Sequence, residues 1–232
     1  MNEQRLQSLA GYAGSGALAS DSNRVLRNTY WLLALSMVPT VLGAWIGVAT
    51  GIMSTLSPGI SAIIFFAGAF GLMFGIEKTK DSAAGVPMLL AFTFFMGLML
   101  ARLLSFVLGF KNGSSLIMMA FGGTAGVFFA MATLATVIKR DLSSMGKFLF
   151  IGAVVLMLAG IANVFLQSSA LFLTVAVLAI VVFSAFMLYD VKRVIDGGET
   201  NYISATLAIY LDIYNVFQSL LSILGIFGGE RD

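Results

Sequence analysis

The sequence predicts an all-α polytopic membrane protein with seven transmembrane helices, on three observations. Of 232 residues, 59% are hydrophobic and only 10% charged, with a mean hydropathy of +0.98, whereas a soluble domain carries about 25% charged residues. The apolar residues gather into seven runs, each near the roughly 20 residues that cross hydrocarbon as a helix. Nearly all the charge is confined to short connectors, yet two aspartates, Asp190 and Asp212, lie inside the last two runs.

Taken in order, residues 1–28 are polar and rich in small residues, with no apolar core and no cleavage motif of a signal peptide. They read as a flexible cytoplasmic tail ahead of a seven-helix membrane domain over 29–229. The runs are Thr29–Thr50, Gly59–Ile76, Gly85–Gly109, Ser115–Ile138, Gly146–Leu166, Ala170–Tyr189 and Tyr202–Phe227. Turn signals separate them at Ser57-Pro58-Gly59, Lys111-Asn112-Gly113 and Gly197-Gly198. The sixth helix is expected to run on to about Asp196, with Gly197 as its stop and Thr200 or Asn201 capping the seventh.

Orientation follows from the basic residues. Of thirteen Lys and Arg, ten fall on one side: Arg5, Arg24, Arg27, Lys78, Lys80, Lys139, Arg140, Lys147, Lys192 and Arg193. Lys111 and Arg231 fall on the other. This bias predicts a cytoplasmic N-terminus. The side of the C-terminus stays open, because Glu230-Arg231-Asp232 carries both signs. Arg102 reads first as a snorkelling anchor, and secondarily as lining an outer vestibule or holding a lipid phosphate. Trp31, Trp45 and Tyr30 fit interfacial belts.

Composition also excludes function classes. With no Cys and no His, the chain has no thiolate nucleophile, no disulfide and no imidazole base, so zinc, copper and serine-protease chemistry are ruled out. No cofactor and no nucleic acid is expected, since a net charge of +2 is small and its basic residues sit at helix ends. The spacings Gly43/Gly47/Gly51, Gly71/Gly75 and Gly122/Gly126 allow close helix approach, within the chain or in a dimer. Oligomeric state is left undetermined, and no internal repeat is evident.

The aspartates carry the chemistry. Placing an ionised Asp at mid-membrane costs roughly 3 kcal/mol on insertion scales, and protonating it at neutral pH costs about 4 kcal/mol, so the two forms compete. Two that face each other would share one proton and titrate as a unit. Asp190 lies roughly 9 Å from the end of the sixth helix and Asp212 roughly 16 Å into the seventh, at 1.5 Å per residue. An offset of little more than one turn is within reach of helix tilt. The alternatives are that each aspartate merely caps, snorkels or hydrogen-bonds, and that Asp190 pairs with Arg193 at i,i+3. On the seventh helix, Ala205, Ala208, Asn215 and Ser219 share a small, polar face with Asp212. That face suits a water-accessible cavity or polar helix packing.

These residues carry a resemblance. Leu188-Tyr189-Asp190, the run GGETNYISATLAIYLDIYNVFQSLLSILG from Gly197 to Gly225, VLRNTYWLL from Val25, GGTAGVFF from Gly122 and the Lys139-Arg140-Asp141-Leu142-Ser143 connector resemble the Bax inhibitor 1 family, also called the transmembrane Bax inhibitor motif family, and especially its bacterial YccA-like branch. The resemblance implies a seven-helix fold in a bacterial inner membrane, with the last helix central and surrounded by the other six. It implies a pH-sensitive Ca²⁺ leak gated by aspartates matching Asp190 and Asp212, with Ca²⁺ as permeant or bound ion at the pair, while Asn215, Ser219 and Arg193 are candidates for pore or pair support by their spacing alone. It also implies an alternative role as substrate and modulator of the membrane-anchored FtsH-type protease. The arginine that some members carry near the end of helix two is replaced in this chain by Glu77-Lys78-Thr79-Lys80. An intramembrane aspartyl protease is disfavoured, because Ile209-Tyr210-Leu211-Asp212 lacks the glycines such a site needs beside its second aspartate. No enzyme activity is expected.

Overall fold

The computed structural model describes residues 3–53 and 55–230, with side chains from Ser22 onward. It contains seven helices: α1 (Glu3–Thr50), α2 (Pro58–Thr79), α3 (Gly85–Leu108), α4 (Gly113–Val137), α5 (Met145–Leu166), α6 (Ser169–Ile195) and α7 (Tyr202–Phe227). All seven are long and apolar enough to cross a membrane, and among the described residues there is no strand. The protein is therefore a multi-pass membrane protein.

The helix ends follow local chemistry. Ser57 and Ser168 cap α2 and α6 by accepting from Ile60 N–H and Leu171 N–H, and Pro58 occupies the first turn, where a missing N–H costs nothing. At the end of α6, Gly197 turns left-handed (φ 76°). Gly197 N–H then bonds the Val194 carbonyl and Gly198 N–H the Arg193 carbonyl, the paired bonds that close a helix on glycine. Asn201, one of the two expected caps, accepts from Ile203 and Ser204 N–H. Its amide also donates to the Lys80 carbonyl and Asp81 Oδ1, fastening the α6–α7 connector to the α2–α3 connector. In the α4–α5 connector, Asp141 accepts from the Ser143 backbone N–H and hydroxyl, which hold its carboxyl below the ordinary value.

One difference lies at the start. The expected boundary at residue 28 is not an element boundary, since α1 is continuous from Glu3 to Thr50. The Leu, Gln and Ala residues of 3–20 favour helix by intrinsic propensity. Arg231 lies outside the described residues, as does the side chain of Arg5.

α7 is the central helix. It packs against α1, α2, α3, α4 and α6, and it faces α5 across a cavity. Its most apolar stretch is 44% buried inside the protein, against 6% for α5. Lipid tails are as apolar as leucine, so the helices are held by close packing and interhelical hydrogen bonds rather than by exclusion of water. Tyr210 Oη meets Thr40 Oγ1 of α1 at 2.9 Å, and Tyr214 Oη donates to the Met96 carbonyl of α3 at 3.3 Å. At the far end, Asn112 donates to the Gly228 carbonyl and accepts from Glu230 N–H. The last helix thus crosses completely and finishes beside the α3–α4 connector, opposite the end that bears the α2–α3, α4–α5 and α6–α7 connectors. That opposite end holds most of the Lys and Arg and is the basic end of the bundle.

The α1–α3 contact is the tightest in the bundle. A Cβ at Gly43 would overlap the Phe94 carbonyl oxygen, one at Gly97 the Thr40 carbonyl oxygen, and one at Gly47 the Ala101 methyl. These glycines serve packing within the chain. Gly71, Gly122 and Gly126, by contrast, face open space. Gly43→Leu or Gly97→Leu should therefore lower stability by about 1–3 kcal/mol through overpacking, whereas Gly126→Leu should change it by less than about 0.5 kcal/mol. Thermal unfolding of the three variants in detergent checks the contrast.

Candidate functional site: an aspartate pair between two cavities

Asp190 on α6 and Asp212 on α7 face the same helix–helix contact, near enough for their carboxyl groups to interact. The offset of about one turn expected from counting residues does not keep them apart. Asp212 is only 4% exposed, and its Oδ2 is buried with no protein N–H or hydroxyl directed at it. Two ionised carboxylates at this range repel. One shared proton would convert that repulsion into an O–H···O bond.

The neighbours of the pair divide into two cavities. On the basic side, a cavity of about 260 Å³ is lined by Asp190, Glu77, Arg193, Glu199, Ser204, Ala205, Ala208 and Leu211, among others. On the far side, a cavity of about 510 Å³ is lined in part by Tyr214, Asn215, Gln218, Ser219 and Ser222. Asp212 falls between Leu211 and the Tyr214–Asn215 turn, and lines neither. The polar face read from the sequence is thus continuous along α7, with the pair as the partition between its two halves.

Arg193 takes a different partner from the one its spacing suggests. Its guanidinium pairs with Glu199 at 3.3 Å and donates to the Gly198 carbonyl, bracing the connector, while lining the same cavity as Asp190. The i,i+3 pair with Asp190 is not formed. Asn215 donates to the Leu211 carbonyl one turn back, and Ser219 is 8% exposed at the cavity wall. Both therefore combine helix packing with a place on the cavity lining.

The region matching the family's helix-two arginine supplies a carboxylate instead. Lys80 pairs with Glu77, and Lys78 lies over the Phe74 ring at 5.4 Å, so neither cation is directed at the aspartates. Glu77 itself lines the basic-side cavity, a role sequence reasoning missed because a charged residue at a helix end needs no special reason to be there. Ser204 was missed too, although its signal was present. It stands four and eight residues before Ala208 and Asp212, and its buried hydroxyl has no partner. Arg102 donates to the Leu56 carbonyl in the α1–α2 connector and to Ser61 Oγ in the first turn of α2, reaching toward the helix end while also lining the far-side cavity.

No cluster of three or more acidic, His or Cys side chains suited to a metal occurs among the described residues. The aspartate pair offers two carboxylates, fewer donors than the six to eight oxygens that a resident Ca²⁺ takes.

Comparison with known proteins agrees with this architecture. The family model described as inhibitor of apoptosis-promoting Bax1 matches residues 22–229. The chain is 40% identical over 88% of its length, and 90% of the other's, to the modulator of FtsH protease YccA of Escherichia coli K12. The same values hold for the inner membrane protein YccA of Escherichia coli O6:H1. A membrane protein of Vibrio cholerae is 38% identical over 89% of this chain and 91% of its own. From the first span to the last, the chain belongs to the Bax inhibitor 1 family, and within it is YccA-like.

Proposed function

We propose that this protein is an inner-membrane modulator and substrate of an FtsH-type AAA protease, and that its aspartate pair also gates a pH-sensitive cation leak. The protease reading is supported by one observation above others, the 40% identity over 88% of the chain to a relative named for modulating FtsH. With the basic end in the cytoplasm, as the Lys and Arg bias favours, residues 1–28 extend on the side where a cytoplasmic unfoldase would grip them. They carry no apolar stretch able to build a core of their own. A tagged full-length chain should co-purify with the protease from detergent-solubilised membranes, and deleting residues 2–20 should lengthen its lifetime in cells. Unchanged turnover together with no association would count against this reading.

The leak reading is supported by the contact between the two aspartates. Two unit charges about 4 Å apart repel by on the order of 4 kcal/mol at an effective dielectric near 20, more than the roughly 1 kcal/mol of a typical interhelical hydrogen bond. Loss of the shared proton would therefore weaken the α6–α7 contact at the level of the pair. α7 is held by Tyr210, Tyr214 and Thr206 to α1 and α3, so α6 is the helix that yields, joining the two cavities. Glu77, Asp190 and Glu199 on the basic side would draw cations toward the opening. Ca²⁺, the ion expected for the family, would pass through as cargo rather than reside at the pair.

In proteoliposomes, Ca²⁺ flux should rise several-fold from about pH 6 to about pH 8, as the pair sheds its shared proton. Asp190→Asn and Asp212→Asn should flatten that response. Equal permeability and equal pH response in wild type and both variants would remove the leak reading.

A further inference from the structure

The far-side cavity holds a charge that nothing in the protein balances. Arg102 Nη1 donates to the Leu56 carbonyl at 3.3 Å and to Ser61 Oγ at 3.2 Å, both neutral partners. No carboxylate lies within ion-pairing distance of it among the described residues, and none lines the cavity. Its Nη2 and Nε donors are left for another acceptor, and a planar guanidinium suits a phosphate or carboxylate. A partly buried cation in an apolar surround is costly unless paired.

The rest of the cavity is shaped for a chain. It measures about 510 Å³, within the range of small-molecule sites, and Phe65, Phe66, Phe172 and Ala176 give it apolar walls, while Asn163 and Gln218 add amides. α5 does not pack on α3 or α7, and it meets α2 only sparsely, which leaves the cavity a lateral route to the hydrocarbon. Arg102 sits six residues before the end of α3, roughly 9 Å, and level with the first turn of α2. From there a guanidinium on its long stem can reach toward the headgroup boundary.

We propose that this cavity binds an anionic amphiphile, with its phosphate or carboxylate headgroup on Arg102 and its acyl chain against the aromatic wall. The proposal goes beyond both readings above, and its test measures no ion flux and no protease association, so its outcome is separable from theirs.

Native mass spectrometry of the full chain, with phosphatidylglycerol or phosphatidylcholine added at equal ratio, tests it. The wild type should retain one phosphatidylglycerol in about tenfold preference, and Arg102→Gln should reduce retention to the phosphatidylcholine level. Gly160 lines the cavity, and a Cβ there meets nothing within 4 Å, so Gly160→Leu should block the acyl chain while leaving Arg102 in place. That variant decides the matter if Arg102→Gln fails to fold. Equal retention of the two lipids by wild type, undiminished phosphatidylglycerol on Gly160→Leu, or displacement of the lipid by millimolar inorganic phosphate alone would each overturn the proposal.

Discussion

Two carboxyl groups pressed together between α6 and α7 impose the main constraint on this bundle. In hydrocarbon every polar group must find its partner inside the protein, and the buried Oδ2 of Asp212 has no backbone or hydroxyl donor directed at it. The helix that carries such a group must be surrounded, and α7 is the most buried of the seven. Small side chains at Ala205 and Ala208 border the basic-side cavity next to Asp190. Tyr210 and Tyr214, two residues to either side of Asp212, point away from it and fasten α7 to α1 and α3.

The bundle is consequently uneven in stiffness. α1 and α3 meet through glycines that leave no room for a methyl group, and α7 is hydrogen-bonded onto them. α5 buries almost nothing in the protein and leans chiefly on α6. An electrostatic change at the pair acts across the boundary between these halves. α6 packs on α4 and α5 as well as on α7, so a change at the pair is felt first by the helices on that side.

Much of this is legible in the sequence, for identifiable reasons. Helix length is fixed by bilayer thickness and helix ends by glycine, proline and capping side chains, so every helix but α1, which begins at Glu3, falls within a few residues of its expected bounds, with Gly197 as a stop and Asn201 as a cap. The aspartates stand out because charge at that depth is expensive. What is not legible is rotation about a helix axis. α3 is apolar on every face, so nothing in its pattern distinguishes an Arg102 that snorkels outward from one that turns into a cavity. Arg193 has carboxylates at both i−3 and i+6, and only the fold of the connector selects Glu199. The side of the C-terminus likewise depends on Asn112, whose bonds to Gly228 and Glu230 join residues more than one hundred positions apart.

The two proposed roles meet at the basic end. Gly197, the stop of α6, lies against Ser22 at the start of the apolar stretch of α1, and a Cβ there would be 3.5 Å from the serine hydroxyl. The same connector is braced by Arg193 to Glu199 and fastened to the α2–α3 connector through Asn201. A protein that grips the chain before Ser22 would load α1, and through it the connector joining the two aspartate-bearing helices. Coupling of this kind is reciprocal. Whatever the shared proton does to the separation of α6 and α7 also alters the surface that such a partner meets, so a pH-dependent ion path and a protease-regulating surface are compatible outputs of one two-state hairpin.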